Sequence, residues 1–199
     1  MSIRPGAIFD LDGTLLDSWV VWNHLAAWLL GAQGLPAPPG LEREVAAMGL
    51  AEAVDYLKAQ YGLRGETAAL VDACNAHIRQ AYEHTLLPMP GASAYVARLR
   101  DAGVRLCVAT ASDAGLARAA LARLGLLPDF AFILTEAEVG RSKRYPDIYL
   151  TAARRLGLPP AQCTVYEDAP HALATARRAG FPVVAVGLGG FARYLEAQL

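Results

Sequence analysis

Two carboxylates separated by a single residue stand near the start of the chain, at the end of a short apolar run. Asp10 and Asp12 follow Ala7-Ile8-Phe9, whose composition suits a short buried strand. An aspartate carboxylate can attack phosphorus covalently, and a second carboxylate close by can protonate the leaving oxygen and then deprotonate water. The pair therefore indicates phosphoryl transfer, provided that cations and hydrogen-bond donors offset its negative charge.

Three other interpretations of this segment compete with phosphoryl transfer. Asp12-Gly13 is typical of a hairpin turn, but residues 15–30 have a helical pattern where a hairpin needs a second strand. A calcium loop counted from Asp10 requires glycine at its sixth position and glutamate at its twelfth, where Leu15 and Val21 stand. Two solvated turn aspartates without a role are the third alternative.

Further groups that a phosphoryl-transfer site needs follow later apolar runs. Thr110 comes directly after one run, Lys143 lies beyond the next, and Glu167-Asp168 follows a third. Thr110 offers a hydroxyl to a phosphate oxygen, Lys143 offers a positive charge, and carboxylates suit Mg²⁺, a hard cation that prefers oxygen ligands. Alone, each group has an ordinary explanation as a helix cap or a solvated surface charge. Their order at successive strand ends predicts one shared site.

The elements that must position these residues form an α/β pattern. Five apolar runs suit short buried strands: residues 7–9, 104–109, 130–134, 163–166 and 182–186. Helical patterns lie between the later runs, at residues 116–124, 148–156 and 172–179. This alternation predicts a Rossmann-like, three-layer core with a parallel sheet, in which ligands bind beyond the carboxyl ends of the strands.

Residues 17–87 interrupt this alternation. They contain no strand pattern, only amphipathic helical segments at residues 18–31, 41–48, 51–60 and 66–84, separated by proline- and glycine-rich stretches. They carry four basic against eight acidic residues. We expect a small all-helical domain inserted after the first strand, while residues 1–16 and 88–199 form the α/β core.

The composition and net charge disfavour nucleic-acid-binding and membrane proteins. A chain of 199 residues, 54% of them hydrophobic, suits one compact domain with a modest insertion. Its net charge of -1 provides no basic field for nucleic acid or an anionic membrane, and its most apolar stretch, residues 19–30, is shorter than the roughly 20 residues of a membrane span. Three separated cysteines outside any Cys-x-x-Cys pair, and charged residues early in the chain, favour a cytoplasmic protein.

The motifs as a set resemble those of the haloacid dehalogenase superfamily phosphatases, and among them the β-phosphoglucomutase-like group, which has a helical cap. Residues 9–18, FDLDGTLLDS, are similar to the first motif of that family. Thr110, Lys143 and Glu167-Asp168 stand where its second, third and fourth motifs would be, and residues 138–150 are a further close match. The resemblance covers nearly the whole chain.

This resemblance implies a Mg²⁺-dependent phosphomonoester hydrolase that works through an aspartyl-phosphate intermediate. It implies that Asp10 is the nucleophile and that Asp12 is the general acid and base. Thr110 and Lys143 would bind the transferring phosphoryl group. Because dehalogenases lack the second carboxylate of the first motif, the presence of Asp12 disfavours dehalogenation.

The resemblance also implies a set of metal ligands. Mg²⁺ would be held by the side chains of Asp10 and Asp168 and by the backbone carbonyl of Asp12. Glu167 would be an outer or water-mediated partner of the ion.

Two positions depart from the family pattern. Arg144 stands where proline usually follows the lysine, and Ala172 stands where glycine is usual. We expect Arg144 to point outward rather than to add a phosphate contact, and Ala172 requires only a helical backbone. Neither position touches the expected chemistry directly.

The inserted helical domain corresponds to the family's cap, which implies that it closes over the phosphate pocket and selects the substrate. Trp22, His24 and Gly49 are candidate substrate contacts, although the tryptophan and the histidine are also typical of packing residues. We expect a small phosphorylated metabolite, such as a sugar phosphate, as the substrate. We also expect a monomer or a weak dimer.

Two functional alternatives are open beside the hydrolase. A phosphosugar mutase would use the same aspartyl-phosphate but return the phosphoryl group to a sugar. A phospho-acceptor signalling domain would also combine carboxylates, threonine and lysine in an α/β core. That domain is expected to carry its aspartate in mid-chain and to lack a helical insertion, so the position of Asp10 counts against it.

Overall fold

The computed structural model describes residues 3–46 and 48–196, and the chain divides into two compact units. Met1–Ser18 and Tyr82–Leu199 form one, the α/β unit, and Trp19–Ala81 forms the other, the helical unit. The sequence places these two junctions after residues 16 and 87. The observed helical unit is therefore shorter at both ends than the expected domain.

Five parallel strands form the sheet of the α/β unit: β1 (Gly6–Phe9), β2 (Arg105–Thr110), β3 (Ile133–Thr135), β4 (Cys163–Glu167) and β5 (Val183–Ala185). Their order across the sheet is β3-β2-β1-β4-β5, which makes β1 the central strand. Every residue of β1 and of β4 is buried, as expected for strands covered on both faces. The predicted fold class, a Rossmann-like α/β core with a parallel sheet, is confirmed.

The described residues of the helical unit form four α-helices: α1 (Trp19–Gly31), α2 (Leu41–Val45), α3 (Leu50–Tyr61) and α4 (Thr67–Gln80). No strand occurs among the described residues of this unit. Apolar side chains on the inner helix faces are buried, among them Leu25, Leu57 and Cys74. Packing of these faces holds helices that are too short to be stable alone.

Two helices of this region end earlier than their sequence patterns predict. The helical patterns run over residues 41–48 and 66–84, whereas α2 ends at Val45 and α4 ends at Gln80. A single π-helical turn, Ala81–Thr85, follows α4.

The segment after this turn belongs to the α/β unit because it bonds to the residues that follow β1. The Asp17 main-chain N–H donates to the Leu87 carbonyl at 2.9 Å, and the Met89 N–H donates to the Leu15 carbonyl at 2.9 Å. These bonds place Leu87 and Met89 in the α/β unit. The Arg123 guanidinium donates to the Tyr82 and Leu86 carbonyls, which links residues 82–86 to the same unit.

Among the described residues, six α-helices complete the α/β unit: α5 (Ala92–Asp101), α6 (Ala114–Arg123), α7 (Glu136–Val139), α8 (Asp147–Leu156), α9 (Pro170–Arg178) and α10 (Ala192–Glu196). α8 packs against β1 and β2, α6 against β3, and α9 against β4 and β5. α5 is not predicted from the sequence, although Ala92, Val96 and Leu99 are buried at helical spacing. No helix in the described part of the chain is both long and apolar enough to span a bilayer.

The register of the sheet aligns the ends of its three middle strands. Phe9 pairs with Val108 of β2 and with Tyr166 of β4. Because the strands are parallel, Asp10, Thr110 and Glu167 therefore emerge at the same edge.

Candidate active site

Asp10 is held at the carboxyl end of the central strand. Its main-chain N–H donates to the Tyr166 carbonyl of β4 at 2.9 Å, and its side chain is buried. Its Oδ1 atom accepts a hydrogen bond from the Lys143 ammonium, with which it forms a buried ion pair. The structure thus joins the expected nucleophile to the expected phosphoryl-binding lysine.

Lys143 lies in the loop between α7 and α8. Its main-chain N–H donates to Glu136 Oε1 at 2.6 Å, which ties the loop to the start of α7. Its ammonium also donates to Glu167 Oε1 at 2.7 Å. Because the Lys143 side chain is buried, these two carboxylates, those of Asp10 and Glu167, offset the cost of removing its charge from water.

Glu167, at the end of β4, accepts hydrogen bonds on both carboxylate oxygens. Oε1 receives the Lys143 ammonium and, at 3.3 Å, the Tyr149 hydroxyl. Oε2 receives the main-chain N–H groups of Asp168 at 2.8 Å and Ala169 at 3.1 Å. Glu167 therefore fixes both the lysine and the loop that carries Asp168.

Burial and mutual charge shift the pKa values of this cluster. Burial raises the pKa of Asp10 well above its ordinary value, while Lys143 acts against that rise and Glu167 adds to it. Burial would lower the pKa of Lys143, but the two carboxylates raise it on balance. Burial would raise the pKa of Glu167, but Lys143 and neighbouring hydrogen bonds lower it on balance. A further cation beside Asp10 would therefore favour its charged, nucleophilic form.

Three carboxylates converge beyond the strand ends. The ligand atoms of Asp10, Glu167 and Asp168 lie within 4.8 Å of one another. Asp10 Oδ2 is buried and has no hydrogen-bond partner among the described residues, and burial together with Glu167 raises the pKa of Asp168 to about 7. This excess of negative charge and of oxygen ligands fits a hard divalent cation such as Mg²⁺. Since Glu167 is engaged by four donors, Asp10 and Asp168 are the side chains that fit the ion.

Asp12 has hydroxyl groups as partners. The Ser112 hydroxyl donates to Oδ2 at 2.5 Å, and the Tyr82 hydroxyl donates to Oδ1. Thr110, at the end of β2, is buried, and its Oγ1 accepts the Ser112 main-chain N–H at 3.0 Å. The loop after β2 therefore links Thr110 to Asp12 through Ser112.

Four residues that make these contacts are absent from the predicted site: Tyr82, Ser112, Glu136 and Tyr149. In the sequence, Ser112-Asp113 is typical only of the start of a helix, and in the structure Asp113 caps α6 by accepting two main-chain N–H groups. Tyr149 lies within residues 138–150, which resemble the family, but nothing in the sequence indicates that its hydroxyl group bonds to Glu167. Tyr82 lies 70 residues from Asp12 in a helical pattern, which indicates packing rather than chemistry.

The two departures from the family pattern lie outside these contacts. Arg144 is exposed, and its carbonyl accepts the Thr175 hydroxyl at 3.2 Å. Ala172 is buried within α9.

The helical unit contains a cavity of about 350 Å³ among its own helices. Its lining is mainly apolar and includes Leu29, Val54 and Leu57, together with the half-exposed Trp19 and Trp22.

The predicted residues divide between the two units. Trp22, His24 and Gly49 lie in the helical unit, whereas the six residues expected to carry the chemistry lie in the α/β unit. His24 and Gly49 are exposed and lie outside the described lining of the cavity. A substrate contact through any of these three residues stays a prediction.

A family model and curated relatives match most of the chain. The model described as haloacid dehalogenase-like hydrolase matches residues 5–180. The chain is 33% identical over 190 residues to fructose-1-phosphate phosphatase YqaB of Escherichia coli, covering 92% of this chain and 96% of that protein. It is 32% identical over 182 residues to hexitol phosphatase A of E. coli, with coverage of 91% and 82%. It is 26% identical over 194 residues to beta-phosphoglucomutase of Bacillus subtilis, with coverage of 92% and 83%.

Solved structures show the same fold. A Thermotoga maritima protein superimposes with a TM-score of 0.86 at 20% identity, covering 98% of this chain and 99% of that one. A HAD family hydrolase of Deinococcus radiodurans R1, solved with bound phosphate and sodium, has a TM-score of 0.75 at 25% identity, with coverage of 94% and 82%.

Proposed function

The chain belongs to the haloacid dehalogenase-like hydrolases, and from that premise we propose a Mg²⁺-dependent phosphomonoester hydrolase that works through an aspartyl-phosphate. The observation that carries the proposal is the state of Asp10. One of its oxygens is paired with Lys143, while the other is buried without a donor among the described residues. A second carboxylate, Asp12, follows two residues later.

In the first half of the proposed reaction, Asp10 attacks the phosphorus of the ester. The new bond joins an Asp10 oxygen to phosphorus, and the bond from phosphorus to the leaving alcohol oxygen breaks with its electron pair. Asp12, as the carboxylic acid, gives its proton to that oxygen, so that the alcohol leaves neutral. Lys143 and the Thr110 hydroxyl offset the negative charge on the transferring group.

In the second half, water attacks the phosphorus of the aspartyl-phosphate. Asp12, now the carboxylate, takes a proton from the water as its oxygen bonds to phosphorus. The bond between phosphorus and Asp10 breaks, which releases inorganic phosphate and restores both aspartates. The net reaction consumes one water and one ester and yields one alcohol and one phosphate.

The acidic cluster supplies the metal ligands of this proposal. Asp10 and Asp168 would hold Mg²⁺ with their side chains, and Asp12 with its backbone carbonyl, as the family resemblance implies. When bound, the ion would offset phosphate charge in a site that is otherwise rich in carboxylates. Glu167 would support the ion indirectly, because its own oxygens hold Lys143 and the loop of Asp168.

A small sugar or polyol phosphate is the proposed substrate class. Two relatives that cover nine-tenths of this chain bear the names fructose-1-phosphate phosphatase and hexitol phosphatase A. The phosphosugar mutase is the second candidate, because beta-phosphoglucomutase is also a relative over 92% of the chain. The phospho-acceptor signalling domain is set aside by the match to a hydrolase family over residues 5–180.

A panel of sugar phosphates and simple phosphate esters with Mg²⁺ tests the proposal. We expect the wild type to release inorganic phosphate and the Asp10→Asn variant to release none, because an amide cannot form the aspartyl-phosphate. Asp72→Asn, on the exposed surface of α4, is the matched control and should retain full turnover. Phosphate release by Asp10→Asn at the wild-type rate would contradict the proposal. Phosphorus NMR separates the candidates, since a mutase would yield an isomeric sugar phosphate instead of inorganic phosphate.

A further inference from the structure

The Asp12 carboxylate has one hydroxyl group on each of its oxygens. Tyr82 donates to Oδ1, and Ser112 donates to Oδ2 at 2.5 Å. We propose that Tyr82 and Ser112 are positioning residues that hold this carboxylate in the orientation needed for proton transfer. The inference rests on the proposed function, in which Asp12 is the general acid and base.

Both hydroxyl groups belong to residues of the α/β unit that are held by burial or by a hydrogen bond of their own. Tyr82 is fully buried and lies in the π-helical turn, and single turns of this kind are frequent at functional sites. Ser112 is anchored by its own main-chain N–H, which donates to Thr110 Oγ1 at 3.0 Å. The carboxylate is thus bonded from segments 70 and 100 residues away in sequence. Two donors on opposite oxygens restrict rotation of the Asp12 side chain about its last torsion.

Hydroxyl groups suit both protonation states that Asp12 must adopt. A hydroxyl group donates to a carboxylate oxygen, and by rotating its O–H bond it can instead accept from a carboxylic acid. A main-chain N–H group can only donate, so it would oppose the acid form. The pair Tyr82 and Ser112 can therefore keep Asp12 in one place while its proton leaves and returns.

Esters with different leaving groups provide the test. A nitrophenolate leaves without a proton, whereas an alkoxide leaves only when an acid protonates it. We expect Tyr82→Phe and Ser112→Ala each to lower kcat/KM for an alkyl phosphate roughly 10- to 100-fold, as for loss of a hydrogen bond to a charged group. The value of kcat/KM for 4-nitrophenyl phosphate should stay near that of the wild type. Ser112→Thr keeps the hydroxyl group and should retain activity toward the alkyl ester.

Two variants outside the site are matched controls. Tyr95→Phe removes a hydroxyl group that pairs with Tyr166 at 3.0 Å, and Ser93→Ala removes an exposed one from α5. Both controls should have the kcat/KM values of the wild type for the alkyl phosphate and for 4-nitrophenyl phosphate. Thermal melting verifies that each variant is folded, and the Ser112 variants decide the question if Tyr82→Phe fails to fold.

The possible results distinguish a failure of the positioning role from a failure of the proposed hydrolase function. If Asp12→Asn loses activity selectively toward the alkyl ester while Tyr82→Phe and Ser112→Ala do not, the positioning role is overturned and the function stands. Equal losses for both esters would also overturn it, because they would show a merely structural effect. If the wild type hydrolyses neither ester, the proposed function is wrong and the inference is lost with it.

Discussion

The carboxylate cluster of the α/β unit and the cavity of the helical unit are built by different means. In the cluster, a strand end or loop delivers each charged group to a specific partner, as Asp10 and Glu167 are delivered to Lys143. In the helical unit, apolar side chains such as Leu57 enclose a space of about 350 Å³. The chemistry of the carboxylate cluster therefore depends on specific ion pairs and hydrogen bonds, whereas the shape of the cavity depends on the volume of the side chains that line it. Substitutions in the two regions should differ in kind, not only in size.

Loss of the buried Lys143 ammonium should have the largest effect on stability and turnover. Lys143→Met leaves Asp10 and Glu167 buried together without their shared partner, and breaking a buried pair costs about 3–5 kcal/mol. We expect the free energy of unfolding, measured with urea, to fall by that amount and turnover to be lost. The matched variant Lys58→Met, in α3, removes only a hydrogen bond to Thr67 and should cost about 1 kcal/mol or less. Similar costs for the two lysines would contradict the contrast between the units.

Loss of the proton-transfer group should reduce the rate without comparable loss of stability. Asp12→Asn removes the acid and base and should lower kcat roughly 10²- to 10⁴-fold. Mg²⁺ affinity, measured by titration calorimetry, should be retained because the proposed ligand at this position is a backbone carbonyl. Asp55→Asn, which likewise neutralises a carboxylate that accepts a hydroxyl group, here that of Thr67 in the helical unit, should leave kcat unchanged. Wild-type turnover by Asp12→Asn would remove this residue from the mechanism.

The sequence is sufficient to place the chemical groups because of one geometric rule. Parallel strands end at a common edge, so Asp10, Thr110 and Glu167 can be assigned to one site from the order of the apolar runs alone. Lys143 lies in the loop between α7 and α8 and not at a strand end, and its ion pairs with Asp10 and Glu167 bring it to the same edge.

The supporting contacts are not predictable in the same way. Tyr82 and Tyr149 are aromatic residues in helical patterns, and only the folded chain shows that their hydroxyl groups reach Asp12 and Glu167. The end of the helical unit is missed for a related reason. The hydrogen bond of Leu87 to Asp17 joins distant parts of the chain and leaves no local pattern.

A change of volume in the helical unit should affect stability but not the metal site. Leu57 is buried and lines the cavity, so Leu57→Ala enlarges an existing space and should cost about 2–5 kcal/mol. All three tryptophans of the chain lie in the helical unit, so tryptophan fluorescence during urea unfolding reports on this region. Mg²⁺ affinity should equal that of the wild type. A parallel loss of Mg²⁺ affinity would show that the cluster depends on the cavity.

The smallest expected effect is a pH dependence within the helical unit. The imidazole of His77 stacks on the Trp28 indole with ring centroids 3.9 Å apart, and burial lowers the pKa of His77 below its ordinary value of 6.5. Because the folded unit favours neutral His77, its contribution to stability is present above that ordinary value and is lost as the pH falls toward the lower, folded-state pKa. We expect the urea midpoint followed by tryptophan fluorescence to decrease slightly between pH 7.5 and pH 5. In His77→Gln, which cannot be protonated, this part of the decrease should disappear. An identical pH dependence in wild type and variant would show that the stacked histidine contributes nothing to it.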